Sequence, residues 1–279
     1  PAVLENTATS LQMKAMKHDS YGSLNDLRIT TIDRPVAQKN EVIVSVKAAG
    51  LHIGDCFGVR GNPLLMRVAT GFLKPKYGVP GFDVAGIVES IGEDVKRLKV
   101  GDEVFGACEG SCAQYVRVKE KTLALKPTRL SFEEAAALAT SALAALHALR
   151  DVAKVKPGEK VLINGASGGV GSFAVQIAKS FGAEVTAVCS TKNIEMLRSI
   201  GADHVIDYTQ EDFTLGEPAY DLIFDNVENR SLADCRRALA KEGMLIVNSG
   251  TGASGLKMFV RLLKPLILSP FVSHKLRRY

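Results

Sequence analysis

Two periods of hydrophobic residues divide this chain. From residue 13 to about 122, apolar and polar positions alternate. In Glu41-Val42-Ile43-Val44-Ser45-Val46-Lys47-Ala48, for example, Val42, Val44, Val46 and Ala48 share one side of an extended strand. Residues 84–91 and 113–118 read the same way. Tyr21-Gly22, Arg60-Gly61-Asn62-Pro63, Gly78-Val79-Pro80-Gly81 and Val100-Gly101-Asp102 supply the turns between strands. Many short strands with such punctuation predict a barrel-like β domain over 1–125. Between Gly58 and Pro80 the alternation lapses into an irregular apolar and basic stretch, with Leu64, Leu65, Met66, Arg67, Phe72, Lys74, Lys76 and Tyr77. A loop of that length reads as a lid or binding loop. Phe57, Phe72 and Tyr77 are expected either to line a pocket or simply to pack.

The period changes at Ser131-Phe132-Glu133-Glu134, where Ser131 and Glu134 form a capping box ahead of an alanine-rich run. Residues 135–149 are expected to be a buried helix, with His147 in the core or at an interface. Lys160-Val161-Leu162-Ile163-Asn164 is then a short buried strand. It is followed by Gly165-Ala166-Ser167-Gly168-Gly169-Val170-Gly171. Val170, Phe173, Ala174, Ile177, Ala178 and Phe181 follow at helical spacing, Gly182 stops the helix, and Glu184-Val185-Thr186-Ala187-Val188-Cys189 is a second strand. The βα alternation continues with helices at 193–200 and 231–240 and strands at 204–207, 220–225 and 244–248. The class is α/β: a doubly wound parallel sheet over 126–279 behind the β domain.

Strand, glycine turn, helix and strand in this order make a phosphate-binding crossover, because backbone N–H groups and the helix dipole hold a pyrophosphate at the helix N-terminus. Gly165, Ala166, Ser167, Gly168, Gly169, Val170 and Gly171 are the expected contacts. A site for NAD usually places an acid at the end of the second strand. Here that position reads Cys189-Ser190-Thr191-Lys192. Ser190, Thr191 and Lys192 suit a 2′-phosphate, so the expected cofactor is NADP(H). Ligands lie at the carboxyl ends of parallel strands, which brings in Asp225-Asn226-Val227 and Asn248-Ser249-Gly250.

The 279 residues are 46% hydrophobic and 23% charged, which excludes a disordered chain. A net charge of +5 calls for no nucleic acid. No Asp or Glu follows Glu242, whereas Lys257, Arg261, Lys264, Lys275, Arg277 and Arg278 do. Residues 256–279 are therefore expected at an interface. That is either a homodimer contact, with 269–275 as a pairing strand, or a peripheral membrane contact. Five scattered cysteines (Cys56, Cys108, Cys112, Cys189 and Cys235) fit a reducing compartment rather than a disulfide framework. No run is apolar for the ~18 residues of a membrane helix. Residues 1–12 contain Glu5 and no Arg, a poor transit peptide, so the expected location is cytoplasmic, with plastid or mitochondrion as the alternative.

Cys108 with Cys112, and His52 with Cys56, have ligand-like spacings but no further partners. A catalytic zinc needs three protein ligands, so no metal is expected. Tyr115 and Lys119 have the Tyr-x-x-x-Lys spacing of short-chain dehydrogenases, but in a strand their Cα atoms lie ~13 Å apart, at ~3.3 Å per residue. They are given no catalytic role.

Gly81-Phe82-Asp83-Val84-Ala85-Gly86, then Val88, Gly92, Val95 and Gly101-Asp102-Glu103-Val104, resemble the signature of the medium-chain dehydrogenase/reductase superfamily. The run from Asn164 to Gly171, with Ala174, Gln176 and Ala178-Lys179, resembles its quinone oxidoreductase branch, as do Ser199-Ile200-Gly201-Ala202-Asp203 and Val205-Ile206-Asp207-Tyr208. The resemblance implies a GroES-like domain, a Rossmann domain, NADPH and no zinc: zinc-dependent relatives carry Cys in place of His52 and His-Glu in place of Phe82-Asp83. It implies that Ser190 and Lys192 meet the 2′-phosphate and Tyr208 the adenosine, with Asn226, Val227, Ser249 and Gly250 near the nicotinamide. Ala144 replaces a usual Thr, and Glu228 a usual Gly. The resemblance also implies a further segment beyond Tyr279 that returns to the β domain.

The expected activity is NADPH-dependent hydride transfer to quinones or α,β-unsaturated carbonyls. His52, Asn226 and Asn248 are candidates to polarise the substrate oxygen. The alternative is a non-catalytic NADPH-binding sensor or scaffold.

Overall fold

The alternating segment folds into short antiparallel strands. In this computed structural model, residues 12–62, 64, 66–217, 219–248 and 274–278 are described. Strands β1 (Gln12–Lys17) and β2 (Arg28–Asp33) form a two-stranded sheet. The larger sheet contains β3 (Glu41–Gly50), β4 (Asp83–Ile91), β5 (Glu103–Ala107), β6 (Tyr115–Lys119) and β7 (Leu123–Leu125), in the order β6-β3-β4-β5-β7. An isolated bridge joins Ala15 of β1 to Ala113, just ahead of β6. The alternation in β3 is less clean than the sequence suggests: Val42, Ile43 and Val44 are all buried. This central strand is covered on both faces, and its register with β4 shifts between Ile43 and Val44. Tyr115 and Lys119 are the two ends of β6, extended as expected.

The irregular segment is more ordered than a loop. It forms α1 (Ile53–Arg60), closed by Gly61 at φ +59°, and α2 (Met66–Thr70). Phe72 and Tyr77 are exposed, so neither packs into the core.

The chain divides into two compact units between Thr140 and Ser141. That boundary falls inside α3 (Phe132–Leu146), further along the chain than residue 126. The reason is packing: Phe132, Ala135 and Ala136 at the start of α3 join Ala48, Ala85 and Phe105 in a small cluster of the first unit. The capping box forms, with Ser131 N–H donating to Glu134 Oε2 (2.8 Å) and Glu134 N–H to Ser131 Oγ (3.1 Å). The helix does not run unbroken to 149. It continues as a π-helical turn over His147–Ala153 and stops at Lys154, φ +56°. His147 is not a core residue; its side chain is half exposed, with Nδ1 3.8 Å from Asp151.

The second unit is a six-stranded parallel sheet, with β8 (Lys160–Asn164), β9 (Glu184–Cys189), β10 (His204–Asp207), β11 (Tyr220–Asp225), β12 (Leu239–Val247) and β13 (Lys275–Arg278). Its order is β10-β9-β8-β11-β12-β13. Between the strands run α4 (Gly169–Ser180), α5 (Ile194–Ser199) and α6 (Leu232–Ala238). Val161, Leu162 and Ile163 of β8 are wholly buried. At roughly 1.5–3 kcal/mol each, such side chains fix the strand on which the glycine turn is mounted. On its buried face, α4 packs Gly171, Ala174, Val175 and Ala178. Helix α6 is shorter than 231–240: Ser231 caps it by accepting from Asp234 N–H, and Leu239 already pairs with Tyr220 as strand. Lys275 is the only described strand residue of the expected pairing strand 269–275. Residues 269–273 lie outside the described residues, and β13 pairs in parallel with β12 of its own chain, with Leu276 buried.

Candidate dinucleotide site and its relatives

The glycine turn begins where β8 ends. Gly165 has φ +74°, a conformation that disfavours side chains, and a Cβ there would lie 2.6 Å from Val227 Cγ2. Gly171 is in tighter contact: its Cβ would meet Gly165 O at 2.2 Å and Ala166 Cα at 2.7 Å, so glycine is what lets α4 lie on the turn. Gly168 is the N-cap, with φ −79° and ψ 172°, and no side chain caps the helix. Ala166 is buried and donates its N–H to Val188 O (3.1 Å), Ser167 is half-buried, and Gly168 and Gly169 are exposed. The first N–H groups of a helix have no partner inside it. Those of Gly169 and Val170 therefore lie at the open end of a helix that has no side-chain cap, which fits a phosphate.

The sheet changes direction at this turn. From β8 it grows one way through β9 and β10 and the other way through β11 and β12, the switch point at which a dinucleotide's two ends diverge. On the first side, Ser190 is half-buried and Lys192 exposed at the end of β9, while Tyr208 is half exposed after β10, its N–H bonded to Cys189 O (2.9 Å). Thr191 is committed elsewhere: its hydroxyl donates to Asp207 Oδ2. Asp207 also accepts from Thr209 N–H (3.0 Å) and Thr209 Oγ1 (2.8 Å). These bonds, Thr191's foremost, hold its carboxyl below the usual range. The end of β9 carries no acid, but β10 brings a buried one beneath it, which the sequence reading did not anticipate.

On the other side, Asn226 and Asn248 come together. Asn248 Nδ2 donates to Asn226 Oδ1 (2.8 Å), and Asn226 Nδ2 donates to Asn164 O (3.2 Å). Below them, Asp225 Oδ1 accepts from Asn164 Nδ2 (2.8 Å), Val227 N–H (3.0 Å) and Glu228 N–H (2.9 Å), and Asn164 Nδ2 also donates to Asn229 Oδ1 (2.9 Å). Asn164 and Asn229 thus join Asp225, which the strand-end rule had already brought in, as positioning residues that the sequence reading did not single out. Val227 packs against Gly165, which ties this turn to the glycine turn. Glu228 is buried at φ +57°, in the left-handed region that the usual Gly would adopt freely. Ser249 and Gly250 lie outside the described residues.

His52 stands in the first unit, at the start of α1. Its Nδ1 accepts from Gly54 N–H (3.0 Å), which puts the ring proton on Nε2, and Nε2 is buried without a hydrogen-bond partner among the described residues. The ring stacks on Phe82 at 5.4 Å. Asp55, also buried, accepts from His52 N–H and Gly81 N–H, both at 2.8 Å. Burial raises Asp83, whose carboxylate accepts from Thr140 N–H and Oγ1, and pushes the thiols of Cys108 and Cys112 up to about 12 and 11. Among the described residues no three His, Cys, Asp or Glu side chains gather as a metal site. A cavity of about 140 Å³ lies beside Asp55, Val59, Tyr77, Phe82 and Glu109. Tyr77 lines it; Phe57 and Phe72 do not.

A β unit followed by a doubly wound unit with a glycine turn on its central strand is the architecture of a two-domain, dinucleotide-binding dehydrogenase. The chain matches the alcohol dehydrogenase GroES-like domain over residues 38–128 and the zinc-binding dehydrogenase family over 169–269. It belongs to the medium-chain dehydrogenase/reductase superfamily, and relatives of it are named quinone oxidoreductases and alkenal/one oxidoreductases.

It is 38% identical over 247 residues to the 2-methylene-furan-3-one reductase of Solanum lycopersicum, covering 81% of this chain and 61% of the relative. It is 36% identical over 253 residues to the chloroplastic NADPH-dependent alkenal/one oxidoreductase of Arabidopsis thaliana, covering 85% and 62%. The chain thus spans about three fifths of the length of these two relatives. To the chloroplast envelope quinone oxidoreductase homolog of Arabidopsis thaliana it is 33% identical over 284 residues, covering 92% and 83%. Among solved structures, the CurK enoyl reductase superposes with a TM-score of 0.82 at 26% identity, covering 96% of this chain and 81% of that one. The quinone oxidoreductase from Coxiella burnetii gives 0.81 at 28%, covering 96% and 82%.

Proposed function

We propose that this chain is an NADPH-dependent reductase of quinones or α,β-unsaturated carbonyls that works without zinc. The observation that carries the reading is the open glycine turn at the switch point, with an acid-free strand end on one side and the Asn226 and Asn248 pair on the other. The N–H groups of Gly169 and Val170 hold the pyrophosphate, and Ser190 and Lys192 hold the 2′-phosphate. Thr191 positions this corner through Asp207, and Tyr208 flanks the adenosine. Bound NADPH supplies a hydride to the electron-poor carbon. Asn226, Val227 and Asn248, with Ser249 and Gly250, orient the nicotinamide end. His52 keeps its Nε2 proton for an oxygen acceptor, because Nδ1 is already engaged by Gly54. A buried donor of that kind stabilises the charge that develops on a substrate oxygen as hydride arrives. Water supplies the proton that completes the reduction. The names of the relatives, an alkenal/one oxidoreductase, a furanone reductase and quinone oxidoreductases, support the substrate class.

Steady-state consumption of NADPH in the presence of quinones, enals and enones tests this reading; no consumption with any of them rejects it. One feature favours a second reading, a non-catalytic NADPH sensor or scaffold: the buried Glu228 next to Val227. Tight NADPH binding without turnover of all three substrate classes establishes that reading instead.

β13 is the edge strand of the sheet among the described residues, and such an edge suits pairing with a second copy, which sedimentation at increasing concentration tests. The alternative of a membrane contact through 256–279 loses Leu276, which is buried in the sheet; most of that segment lies outside the described residues. No described helix is long and apolar enough to cross a membrane. The chloroplastic and mitochondrial names among the relatives favour an organelle over the cytoplasm.

A further inference from the structure

The segment first read as an irregular lid carries an unusual surface. From Cys56 to Phe82 there is no Asp or Glu, while Arg60, Arg67, Lys74 and Lys76 all fall within it. Four bulky apolar side chains in the same segment stand in solvent: Leu64 at 71% exposure, Val68 at 74%, Phe72 at 76% and Leu73 at 86%. Single exposed apolar residues are ordinary, but a run of them in one basic segment marks an interaction surface.

The exposure is not that of a loose loop. Residues 70–76 close on themselves, with Lys76 N–H donating to Thr70 O (2.7 Å) and Gly71 N–H donating to Arg67 O (2.9 Å). Tyr21 holds the base: its hydroxyl donates to Gly71 O and meets Thr70 Oγ1 at 2.7 Å. The Arg67 guanidinium lies 4.6 Å over the Tyr21 ring, and its Nε donates to Gly61 O (2.9 Å). Gly71, at φ +123°, makes the corner; a Cβ there would lie 2.1 Å from Lys74 O. Phe72 and Leu73 therefore project from a fastened corner, and neither lines the cavity beside Asp55.

We propose that this loop is a docking tip for an anionic lipid surface. Phe72 and Leu73 enter the boundary between headgroups and acyl chains, with Leu64 and Val68 behind them. Lys74, Lys76 and Arg60, all exposed, meet the negative headgroups. An apolar tip with a cationic collar and no acid between Cys56 and Phe82 gains from both the hydrophobic and the electrostatic parts of interfacial binding. A rigid base reduces the ordering cost of docking. The charge pattern also suits an acidic protein, but two adjacent bulky side chains at a protruding corner fit a fluid interface better than a preformed groove.

The chain contains no tryptophan, so Leu73→Trp places a single fluorophore at the tip. With vesicles of phosphatidylcholine and phosphatidylglycerol, its emission should shift to the blue and be quenched by brominated lipids. Phosphatidylcholine alone should bind at least about tenfold more weakly, as should anionic vesicles at high salt. In co-sedimentation of the otherwise unaltered chain, Phe72→Ser with Leu73→Ser should lower partitioning about tenfold or more, with NADPH binding and the thermal midpoint unchanged. Lys74→Glu with Lys76→Glu should abolish the preference for anionic lipid. The proposal is overturned if the unaltered chain ignores anionic vesicles or if the double serine variant partitions equally well. It is also overturned if the emission of the Leu73→Trp variant responds to protein concentration, which assigns the tip to a second copy, or to an enone or quinone without lipid, which assigns it to substrate.

Discussion

Gly168 and Gly171 lie three positions apart in the same turn, yet their replacement by alanine should have opposite consequences. At Gly171 the added methyl would lie 2.2 Å from Gly165 O and 2.7 Å from Ala166 Cα. Both are backbone atoms, so the helix itself has to move off the turn. Overpacking of this kind costs about 1–3 kcal/mol, and backbone contact puts it at the upper end. Alanine's better helix propensity returns up to ~1 kcal/mol. The net loss is then about 2 kcal/mol, or a fall of roughly 4–8 °C in the unfolding midpoint of this unit. At Gly168 the methyl would meet only Gly165 O, at 3.4 Å, in a backbone conformation any residue adopts. A poorer N-cap and a stiffer unfolded chain offset one another there, leaving stability within ~0.5 kcal/mol. The same methyl, however, stands at the exposed end of α4 where the pyrophosphate must approach. NADPH affinity should fall about tenfold, equivalent to ~1.4 kcal/mol. Calorimetry and a fluorescence titration with NADPH separate the two effects. A Gly171→Ala protein as stable as the parent, or a Gly168→Ala protein that binds NADPH equally well, refutes the assignment of packing to one glycine and phosphate approach to the other.

Three other predictions concern the two arms of the site. Lys192→Glu should weaken NADPH about tenfold or more by replacing an attraction with a repulsion, and leave NADH unchanged in parallel titrations; equal loss for both would mean that Lys192 does not face the 2′-phosphate. Asn248→Ala removes the donor to Asn226 Oδ1, which should cost about 1 kcal/mol of stability and lower kcat more than it raises KM, whereas unchanged kinetics would make the pair structural only. Asp207 is held below its unfolded value by hydrogen bonds from Thr191 and Thr209, so its contribution to stability is present above about pH 4 and lost as pH falls through the folded value. Asp207→Asn should flatten that acid limb of the stability profile; an unaltered limb assigns it to other carboxylates.

Local pattern revealed the crossover unit because each of its parts is short-range. Buried strand, glycine turn and one-sided helix each show within a few residues, and the capping box of Ser131 and Glu134 formed as its spacing implied. The His52 environment was hidden because it is made by pairs far apart in sequence. Asp55 receives Gly81 N–H across 26 residues, and the ring on which His52 stacks belongs to Phe82. Spacing within the segment suggested only Cys56 as a companion. The length of α3 was legible, but not its π-helical end, and the half-exposed position of His147 depends on which side of that turn is covered.

The hidden polar network nevertheless obeys a simple rule of register. Neighbouring parallel strands align their carboxyl ends, so Asp225 lies opposite both Asn164 and Val247, and Asp207 lies opposite Cys189. The chain then places Asn248 one step beyond Val247, which brings three side-chain amides and a carboxylate to one rim. In the sequence these residues are separated by 61 positions or more when counted from Asn164 to Asp225, and no motif joins them. They become neighbours once the buried strands are written one under another and their last residues are read across. Read that way, the chain shows an asymmetric rim. On the β11 and β12 side Asn164 donates to Asp225, Asn226 to the Asn164 carbonyl and Asn248 to Asn226, whereas on the β9 and β10 side Asp207 is turned to Thr191 and Thr209. An acid at a strand end therefore excludes a 2′-phosphate only if its carboxylate is free to face the ribose, and in this chain Asp207 is occupied.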